Sequence, residues 1–517
     1  MTDTEREHWD VIVIGSGMGG MAAAAALARV GKKVLLLEQH QTLGGLTHSF
    51  TRDGFTWDVG VHYLSGVAPG DPERGLLDWI SDTPIELVPL GSIYDNVHIG
   101  SAEPLSLSRP YEAQERDLKD RYPDQAEAIE AWTHALREGR ETMLKIFPTR
   151  AMPEIAGDVL DWWNRRAIAK WCDRTTKEVI DDITDHPELA AVMAAQWGDH
   201  GGRPSKASFA VHALIAGAYL PSGSWYPVGG SAVFAERIIP TITKNGGEAR
   251  AGVGVESLLF EGDAVVGVRT GDGSEIRAEA VVSDIGARET VDGLLPDDCG
   301  HQDWIATIRA LPSSIAHFNL FLGFEGDVEA AGATKANHWF YPTGETDVVW
   351  TDAPNGTPPH MTVSFGSLKN PAHEPGPRQK HSGQVLAWAD WATVAKWADQ
   401  PPGARGEDYA DFKRRAEETL MRQFETCFPD LAKLVVHREL ATPLSTVSFT
   451  GHRHGAFYGL DVTPERVMCD ALRAKTPFTG LFLAGQDVAS PGIPGALWGG
   501  LLSAASVDPK VFRKFKG

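Results

Sequence analysis

The stretch VIVIGSGMGGMAAAAALARVGKKVLLLEQHQTLGG, residues 11–45, constrains the fold more than any other part of the chain. Val11–Ile14 is a short, wholly apolar run, which is typical of a parallel strand buried on both faces. It leads into a G-x-G-x-x-G pattern. Gly15 permits a tight turn, Gly17 lets the backbone approach a pyrophosphate, and Gly20 lets the next helix pack on the sheet. The pattern predicts the start of a nucleotide-binding βαβ unit.

The helix after these glycines, about Met18 to Val30, is rich in alanine, which favours helix formation and close packing. Its first turn, which includes Gly19, offers N–H groups and a partial positive charge to phosphate. Val34 to Leu37 is a second buried strand, and Glu38 at its end can accept hydrogen bonds from an adenosine ribose. A glycine turn without a ligand would not explain the two strands and the terminal acid. The pattern therefore indicates a dinucleotide site.

A glycine doublet favours FAD over NAD as that dinucleotide. Gly44 and Gly45 begin six residues beyond Glu38 and resemble the E-x(5)-G-G continuation of FAD-binding Rossmann domains. There, a second glycine turn passes close to the extended cofactor.

The segment FTGLFLAGQDVASPGIPGALWGGLLSAASV, residues 478–507, also favours FAD. It predicts a strand over Leu481 to Ala484, a turn at Gly485, an acid at Asp487 and a helix that begins near Pro494 or Gly495. The corresponding acid of similar FAD enzymes binds the ribityl or pyrophosphate region. The dipole of the helix would stabilise negative charge on the pyrimidine side of a reduced flavin.

The middle of the chain, YPVGGSAVFAERIIPTITKNGGEARAGVGVESLLFEGDAVVGV, predicts a return to the nucleotide domain. A helix follows Gly229-Gly230-Ser231 and extends to about Lys244. Two strands are predicted after it, near Glu248 to Phe260 and Ala264 to Val268. Elsewhere, apolar residues at helical spacing over 123–147 predict an amphipathic helix.

Together these segments resemble the phytoene desaturase-like flavoproteins, which include carotenoid desaturases, carotenoid isomerases and retinol saturases. FTWDVGVHYLSG (residues 55–66) and TPLSTVSFTGHRHGAFYGLD (residues 442–461) are similar to the retinol saturase and isomerase branch. The resemblance covers about half the chain. It implies an α/β fold with a discontinuous Rossmann-type FAD-binding domain and an inserted α+β substrate domain. The FAD domain would comprise 1–70, 225–290 and 455–517, and the substrate-binding or cap domain would comprise 71–224 and 291–454.

The resemblance also implies that Val255 contacts adenine through its backbone. The predicted cofactor-binding residues are then Gly15, Gly17, Gly19, Gly20, Glu38, Gly44, Gly45, Val255, Gly485, Asp487 and Gly495.

Catalytic candidates are few, because in such enzymes the flavin carries the reaction. The resemblance places His62 beneath the isoalloxazine ring, and His62 and Tyr63 are the predicted catalytic pair. A structural hydrogen bond by His62 is the alternative to proton transfer. No metal site is predicted. Trp225 and Tyr226 are candidates for the lining of an apolar tunnel, with plain core packing as the alternative. The other titratable candidates are His200, His212, His452 and His454, and a solvated turn is the alternative for the last two.

Composition limits the partners. The formal net charge is -21 with a pI of about 5.3, which argues against nucleic acid. Four scattered cysteines, an N-terminus without an apolar segment and no apolar run of membrane-spanning length predict a cytoplasmic location. Peripheral membrane contact stays open. Phe209 to Leu220 is predicted as a buried helix, with a lipid-contacting surface as the alternative.

The leading hypothesis is FAD-dependent desaturation or saturation of carbon–carbon bonds in a hydrophobic polyene, isoprenoid or related lipid. Three alternatives remain: a C=C isomerase or hydratase that uses reduced FAD without net redox change, an amine oxidase, and a flavin-free Rossmann binding protein. The amine oxidase is disfavoured because no cysteine suited to covalent flavin attachment lies near Asp487. Because only one dinucleotide fingerprint is present, an external electron donor or acceptor is expected.

Overall fold

The computed structural model describes residues 8–152 and 154–516. The described strands are β1 (His8–Ile14), β2 (Val34–Glu38), β3 (Ser49–Arg52), β4 (Phe55–Asp58), β5 (Leu87–Pro89), β6 (Ile93–Ile99), β7 (Leu105–Ser108), β8 (Trp225–Pro227), β9 (Glu248–Ala251), β10 (Val255–Glu261), β11 (Ala264–Thr270), β12 (Glu275–Ser283), β13 (Ala316–Glu325), β14 (Asn337–Tyr341), β15 (Met361–Ser364), β16 (Lys380–Ala389), β17 (Val435–Ala441) and β18 (Leu481–Leu483).

The described α-helices are α1 (Met18–Arg29), α2 (Pro72–Ile80), α3 (Tyr111–Arg121), α4 (Ala126–Ile146), α5 (Glu154–Trp171), α6 (Thr176–Ile183), α7 (Pro187–Ala194), α8 (Phe209–Ser222), α9 (Val233–Lys244), α10 (Ala287–Gly293), α11 (Gln302–Ala310), α12 (Gly366–Lys369), α13 (Gly406–Cys427), α14 (Pro429–Ala432), α15 (Pro443–Thr450), α16 (Pro464–Val467), α17 (Gly492–Val507) and α18 (Lys510–Lys516). Short 3-10 helices cover Gly45–Thr47, Pro123–Gln125, Phe147–Ala151, Ala195–Asp199, Trp391–Thr393, Ala395–Trp397, Arg453–Gly455 and Asp470–Leu472.

The first sheet is the predicted nucleotide-binding sheet. Its strands lie in the order β10-β11-β12-β1-β2-β9, and β18 also pairs with β12. The strands β9, β2, β1, β12 and β18 run parallel, whereas β10 and β11 form an antiparallel extension. Every residue of β2 is buried, as expected for a parallel strand covered on both faces. The Rossmann-type α/β fold is therefore confirmed.

The alanine-rich helix α1 lies in the centre of this unit. Its residues from Met18 to Ala28 are buried in one core with residues of α9 and α17. Small side chains allow three helices to approach one another closely over the sheet. The predicted helix thus exists and ends at Arg29, one residue earlier than predicted.

The middle segment follows the prediction with one difference. The predicted helix is α9, but the single strand predicted over 248–260 is two strands, β9 and β10. The chain breaks at Gly252, whose φ of +74° favours glycine and whose N–H donates to the carbonyl of His40. The break is needed because β9 pairs parallel with β2, whereas β10 turns to pair antiparallel with β11.

A second sheet is assembled from distant parts of the chain in the order β17-β13-β16-β15-β14-β6-β7. All its pairs are antiparallel except that of β6 with β14. Phe318 and Phe324 pack with apolar residues of α13, and Trp339 and Trp388 belong to a separate core with α4 and α8. The sheet is therefore a layer between helices, as the predicted α+β substrate region requires.

The predicted helices over 123–147 and 209–220 are α4 and α8. The residues of α8 are largely buried, so it is a core helix and the lipid-contacting alternative for it is wrong. Helices α2 and α11 pack in the cores that cover the first sheet. Their residues fall in the segments predicted for the substrate domain. Within the described ranges, no helix combines the length and apolarity that crossing a membrane requires. All four cysteines are free thiols.

Candidate functional site

The first glycine turn joins β1 to α1. Gly15 has a φ of +93°, a conformation that favours glycine. A Cβ added to Gly20 would lie 2.0 Å from the carbonyl oxygen of Gly15, so the helix rests directly on the turn. Gly15, Gly17 and Gly19 line one large cavity, towards which the N-terminus of α1 lies. This arrangement can bind a diphosphate through backbone N–H groups.

A second glycine turn packs against the first. Gly485 follows β18 with a φ of +81°, and a Cβ on Gly19 would lie only 2.5 Å from the Gly485 Cα. A Cβ on Gly499 in α17 would lie 2.0 Å from the Gly485 carbonyl oxygen. Gly485 thus packs against the cradle and is not among the residues that line the cavity.

Glu38 is held at the end of β2 by three hydrogen bonds. Its Oε2 accepts from the Ser16 N–H at 2.9 Å and from the Ser16 hydroxyl at 2.6 Å, and its Oε1 accepts from the His40 N–H at 2.8 Å. The Ser16 hydroxyl also accepts from the Gly44 N–H at 2.9 Å. Ser16 therefore ties the first glycine turn to the acid and to the glycine doublet. The sequence pattern leaves this position unspecified, so the residue was not predicted.

The glycine doublet lies against the first glycine turn. Gly44 has a φ of +117°, and a Cβ on Gly45 would lie 2.9 Å from the Gly17 Cα. Gly45 lines the cavity and begins a 3-10 helix that continues along it.

Asp487 is buried where β18 leads into α17. Its Oδ2 accepts from the Ala287 N–H at 2.8 Å, its Oδ1 accepts from the Leu460 N–H at 3.1 Å, and Arg466 lies 3.7 Å away. Asp487 lines the cavity. Gly495 lies in the first turn of α17, where a Cβ would meet the Ser490 carbonyl oxygen at 2.0 Å. It shapes the helix entry and does not line the cavity.

Val255 lines the end of the same cavity near Glu38, together with Val253. The Val253 N–H donates to the Glu38 carbonyl at 2.8 Å, so this end is attached to the ribose-side acid. The predicted adenine contact and the predicted ribose contact are therefore neighbours.

Asp284 is a site residue that the sequence reasoning missed. It follows β12 directly. A Cβ added to Gly17 would lie 2.8 Å from a carboxylate oxygen of Asp284, and a Cβ added to Gly19 would lie 2.3 Å from the other. Burial, with the nearby charges of Glu38 and Asp487, raises the pKa of Asp284 to about 8, although the Gly20 backbone opposes this. At neutral pH the carboxyl group is thus mostly protonated and can donate a hydrogen bond to an anion. An acid directly after a buried strand was the available signal.

The cavity has a volume of about 860 Å³ and extends beyond the cradle. One part is bordered by the glycine doublet, Val61, His317 and Asn319. Buried atoms there, His317 Nδ1 and Asn319 Oδ1, have no hydrogen-bond partner among the described residues. The lining also includes Phe50, Arg52, Phe321, Lys413, Glu439, Leu440, Ala441, Ser445, Thr446, Phe449 and Thr450, and we call this part of it the arm of the cavity.

His62 lies behind this cavity, whose wall here is formed by Gly60 and Val61. Its carbonyl accepts from the Lys369 ammonium at 2.9 Å, and both ring nitrogens are buried without a hydrogen-bond partner in the described structure. Burial, then the positive charge of Lys369, lowers the pKa of His62 to about 3. The imidazole is therefore neutral at physiological pH.

Tyr63 lies deeper still. Its hydroxyl lies 3.0 Å from both carboxylate oxygens of Asp95 and 3.1 Å from Asp199 Oδ2. Tyr219 donates to the same Asp199 oxygen at 3.1 Å. Tyr63 is thus adjacent to His62 in sequence but belongs to a separate polar group and does not line the main cavity.

That polar group, which we call the acid–lysine cluster, consists of Tyr63, Asp95, Asp199 and Lys369. The Lys369 ammonium donates to the Ser364 hydroxyl at 2.8 Å and to the Asn337 side chain. Burial raises the pKa values of both acids and lowers the pKa of Lys369 to about 7, while the two acids oppose the lowering. No spacing in the sequence marks these residues as partners, so the cluster was missed.

The other aromatic and histidine candidates are dispersed. Tyr226 donates to Asp58 in the core, and Trp225 donates to the Ser222 carbonyl at 2.7 Å. His200 and His212 form a buried pair with nitrogens 3.0 Å apart. His452 lines the cavity, whereas His454 packs against Trp391.

The glycine cradle, the buried acid Glu38 at the end of β2 and the unpaired polar atoms of His317 and Asn319 line one cavity of about 860 Å³ and fit FAD in size and chemistry. Fold and site define a Rossmann-type flavoprotein. The sequence profile of the flavin containing amine oxidoreductases matches residues 18–508, and the chain belongs to this family. It is an FAD-dependent oxidoreductase.

Within the family, the chain is similar to all-trans-retinol 13,14-reductase of Danio rerio, with 30% identity over 96% of this chain and 85% of the relative. Prolycopene isomerase of Daucus carota is 24% identical over 93% of this chain and 76% of the relative. The expected retinol saturase and carotenoid isomerase branch is confirmed. Among solved structures, a triple mutant of putrescine oxidase superposes with a TM-score of 0.65 at 13% identity, covering 97% of this chain and 99% of that one, which shows a shared fold.

Proposed function

We propose that the protein reduces a carbon–carbon double bond of an apolar polyene or isoprenoid lipid. The observation that carries this proposal is the similarity to all-trans-retinol 13,14-reductase of Danio rerio along nearly the whole chain. A second relative from Danio rerio, also 30% identical, is named an inactive all-trans-retinol 13,14-reductase. Overall sequence identity alone therefore does not establish this activity for the chain, and the residues that line the cavity are needed as further support.

The arm of the cavity combines apolar walls, which suit a long apolar substrate, with the charged and polar side chains of Arg52, Lys413, Glu439, Ser445, Thr446 and Thr450. Its walls include Phe50, Phe321, Leu440 and Phe449, which present carbon surface. Ligand sites of this kind are mostly apolar with a few polar groups that fix orientation. We propose that the substrate lies in this arm, with its reacting bond towards His317 and Asn319 at the inner end.

The cradle residues would hold the cofactor in an extended form. Bound FAD supplies hydride exchange. We propose that the N-terminus of α1 and the protonated Asp284 bind the diphosphate, that Glu38 binds the adenosine ribose, and that Asp487 binds the ribityl side. Backbone groups near Val255 would then contact adenine. The functional division into the predicted FAD-binding and substrate segments belongs to this proposal.

His62 is proposed as a positioning residue. A group with a pKa of about 3 is a poor general acid near neutral pH, because it has already lost the extra proton. Lys369 fixes its carbonyl, and Val61 beside it forms the cavity wall. Tyr63 would anchor the same segment through the acid–lysine cluster.

The variant His62→Ala tests this role. We expect retention of FAD, a loss of turnover of only a few-fold and an unchanged pH profile. A loss of ~10²–10⁴-fold with a new pH dependence would instead show that His62 transfers a proton. The variant His62→Gln should have higher turnover than His62→Ala, close to that of the wild type, if only positioning is needed.

Electrons are proposed to come from a separate donor. Among the described strands and helices, the dinucleotide cradle occurs once, at β1 and α1. Free NADH or NADPH should therefore reduce the bound flavin slowly. Rapid, saturable reduction by micromolar nicotinamide cofactor would overturn this part of the proposal.

The reaction itself is tested by product mass. Dithionite-reduced and oxidised protein would each be incubated without oxygen with all-trans-retinol and a panel of polyene and isoprenoid lipids. We expect a product with two added hydrogen atoms from the reduced protein only. An unchanged mass with altered retention would assign the isomerase alternative, which the similarity to prolycopene isomerase supports. No change in any lipid would reject the substrate class.

A further inference from the structure

One segment of the molecule has an unusual number of exposed apolar side chains. Among the described residues, six of the nine large hydrophobic residues that are exposed lie between positions 144 and 163. The nine are Ile93, Leu144, Met152, Val159, Leu160, Trp162, Trp163, Val436 and Phe449. Single exposed apolar residues are normal on a protein surface, but a concentration of them marks an interaction site.

The centre of this segment is one face of α5. Val159, Trp162, Trp163 and Arg166 follow the i, i+3, i+4, i+7 spacing that places side chains on one side of a helix. Trp162 is 60% exposed and Trp163 is 75% exposed. We call Val159, Leu160, Trp162, Trp163, Arg165 and Arg166 the α5 face.

The opposite side of α5 is firmly packed. Ile168 and Trp171 are buried in the core with α4 and α8, and the rings of Trp171 and Phe209 are 5.2 Å apart. Gly157 lies against Arg473, where an added Cβ would approach a guanidinium nitrogen to 2.6 Å. The helix is therefore fixed in orientation, and the exposure of its tryptophans follows from the fold.

The α5 face also has positive charge. Arg165 and Arg166 follow the two tryptophans, and the Arg165 guanidinium lies 4.4 Å from the Trp162 ring centre. The chain as a whole has a net charge of -21, and α5 itself contains Glu154, Asp158 and Asp161, so its positive charge is concentrated at Arg165, Arg166 and Lys170 in the second half of the helix. Aromatic rings beside arginines match the interface of a phospholipid bilayer, where tryptophan lies at headgroup depth and basic residues meet anionic lipid.

We propose that the α5 face docks the protein on a membrane surface that contains anionic phospholipid. The helix lies parallel to the bilayer plane, the two tryptophans enter the interfacial region, and Arg165 and Arg166 contact lipid phosphates. The binding is peripheral and reversible.

A second copy of the chain is a poorer occupant of this face. A two-fold dimer brings the same patch of both subunits together, so all four arginines would be collected in one interface. Like charges opposed across an interface are unfavourable, whereas an anionic bilayer compensates them. The proposal is separate from the proposed reaction, because its test measures binding alone.

The test is flotation of the full-length, FAD-loaded protein with vesicles. Vesicles of phosphatidylcholine with phosphatidylserine are compared with vesicles of phosphatidylcholine alone. We expect wild-type protein to float with the mixed vesicles and its bound fraction to fall as salt is added. The double variant Trp162→Ser/Trp163→Ser should bind at least roughly tenfold less. The double variant Arg165→Gln/Arg166→Gln should lose roughly tenfold on the mixed vesicles.

The matched control is Val436→Ser, because Val436 is 58% exposed on β17, outside the α5 face. It should float as wild type does. FAD content and thermal unfolding show whether each variant is folded. The proposal is overturned if wild-type protein does not bind the mixed vesicles, or if the folded tryptophan variant binds them equally well. A wild-type dimer that the tryptophan variant dissociates, without vesicle binding, would assign the face to a second copy.

Discussion

The two sheets achieve close packing by opposite means. At the nucleotide cradle, glycines surround the Asp284 carboxylate: Gly19, Gly485 and Gly500 let two helices and two turns approach to backbone contact. At the second sheet, large and charged side chains fill the interior, with Asp95 on β6 and Asn337 on β14 next to Lys369.

This difference decides which changes each region tolerates. A cradle of glycines is sensitive to any added atom, because its neighbours are backbone atoms that cannot move aside. The acid–lysine cluster is sensitive to any lost polar group, because the remaining groups would be buried without their hydrogen-bond partner. The cradle is therefore a steric device and the cluster an electrostatic one.

The largest effect is expected from Lys369→Met. Removing the ammonium leaves the Ser364 hydroxyl, the Asn337 side chain and the His62 carbonyl buried without their donor, and we expect the free energy of unfolding to fall by ~3–5 kcal/mol in chemical denaturation. The double variant Lys369→Met/Asp199→Asn should recover part of the loss, because one acid is removed as well. Lys145→Met, on the exposed side of α4, is the control and should change stability by less than about 0.5 kcal/mol. Equal stability of Lys369→Met and wild type would show that the cluster needs no cation.

Gly500→Val is the corresponding change at the cradle. A Cβ there would lie 2.2 Å from the Gly19 carbonyl oxygen and 2.8 Å from the Ala22 Cβ, so α17 must move away from α1. We expect a loss of ~1–3 kcal/mol in stability together with weaker FAD retention on gel filtration. Gly75→Ala in α2 has open space around the added carbon and should be neutral or stabilising by up to about 1 kcal/mol. Full FAD retention by Gly500→Val would contradict the steric account.

The same contrast explains what the sequence could predict. Gly15, Gly17, Glu38 and the glycine doublet act within a short stretch of chain, so spacing alone indicates their arrangement. In the cluster, Lys369 meets the His62 carbonyl across 307 positions. No local pattern encodes such a meeting, because it depends on the order of strands in a mixed sheet.

Even near the cradle some features escaped prediction. Ser16 occupies an unspecified position of the glycine pattern, yet its hydroxyl joins Glu38 to Gly44. His62 and Tyr63 are neighbours in sequence, but the fold directs one to the back of the cavity wall and the other to the cluster. The side chains of adjacent residues in an irregular segment have no fixed common direction. The motif that contains His62 and Tyr63 therefore did not predict that the two side chains have different surroundings.

The last prediction concerns the pH dependence that Asp284 confers on stability. The folded state retains a proton on this group up to a pKa of about 8, whereas the unfolded carboxyl ionises near 3.8. The folded state thus binds more protons between these values, and its stability falls as pH rises through that window. We expect Asp284→Asn to flatten this slope in the apoprotein. Its melting temperature should match wild type at the acidic end and exceed it at the alkaline end. Parallel curves for both proteins would show that Asp284 ionises normally.

The central claim is that FAD held in the cradle exchanges hydrogen with a polyene in the arm of the same cavity. It is tested most directly by adding all-trans-retinol, or the polyene converted best, to reduced protein without oxygen while the flavin spectrum is followed. The account predicts that the oxidised spectrum returns in proportion to added polyene, with one product molecule, heavier by two hydrogen atoms, for each flavin oxidised. A flavin that stays reduced while the polyene is unchanged or only isomerised would contradict it.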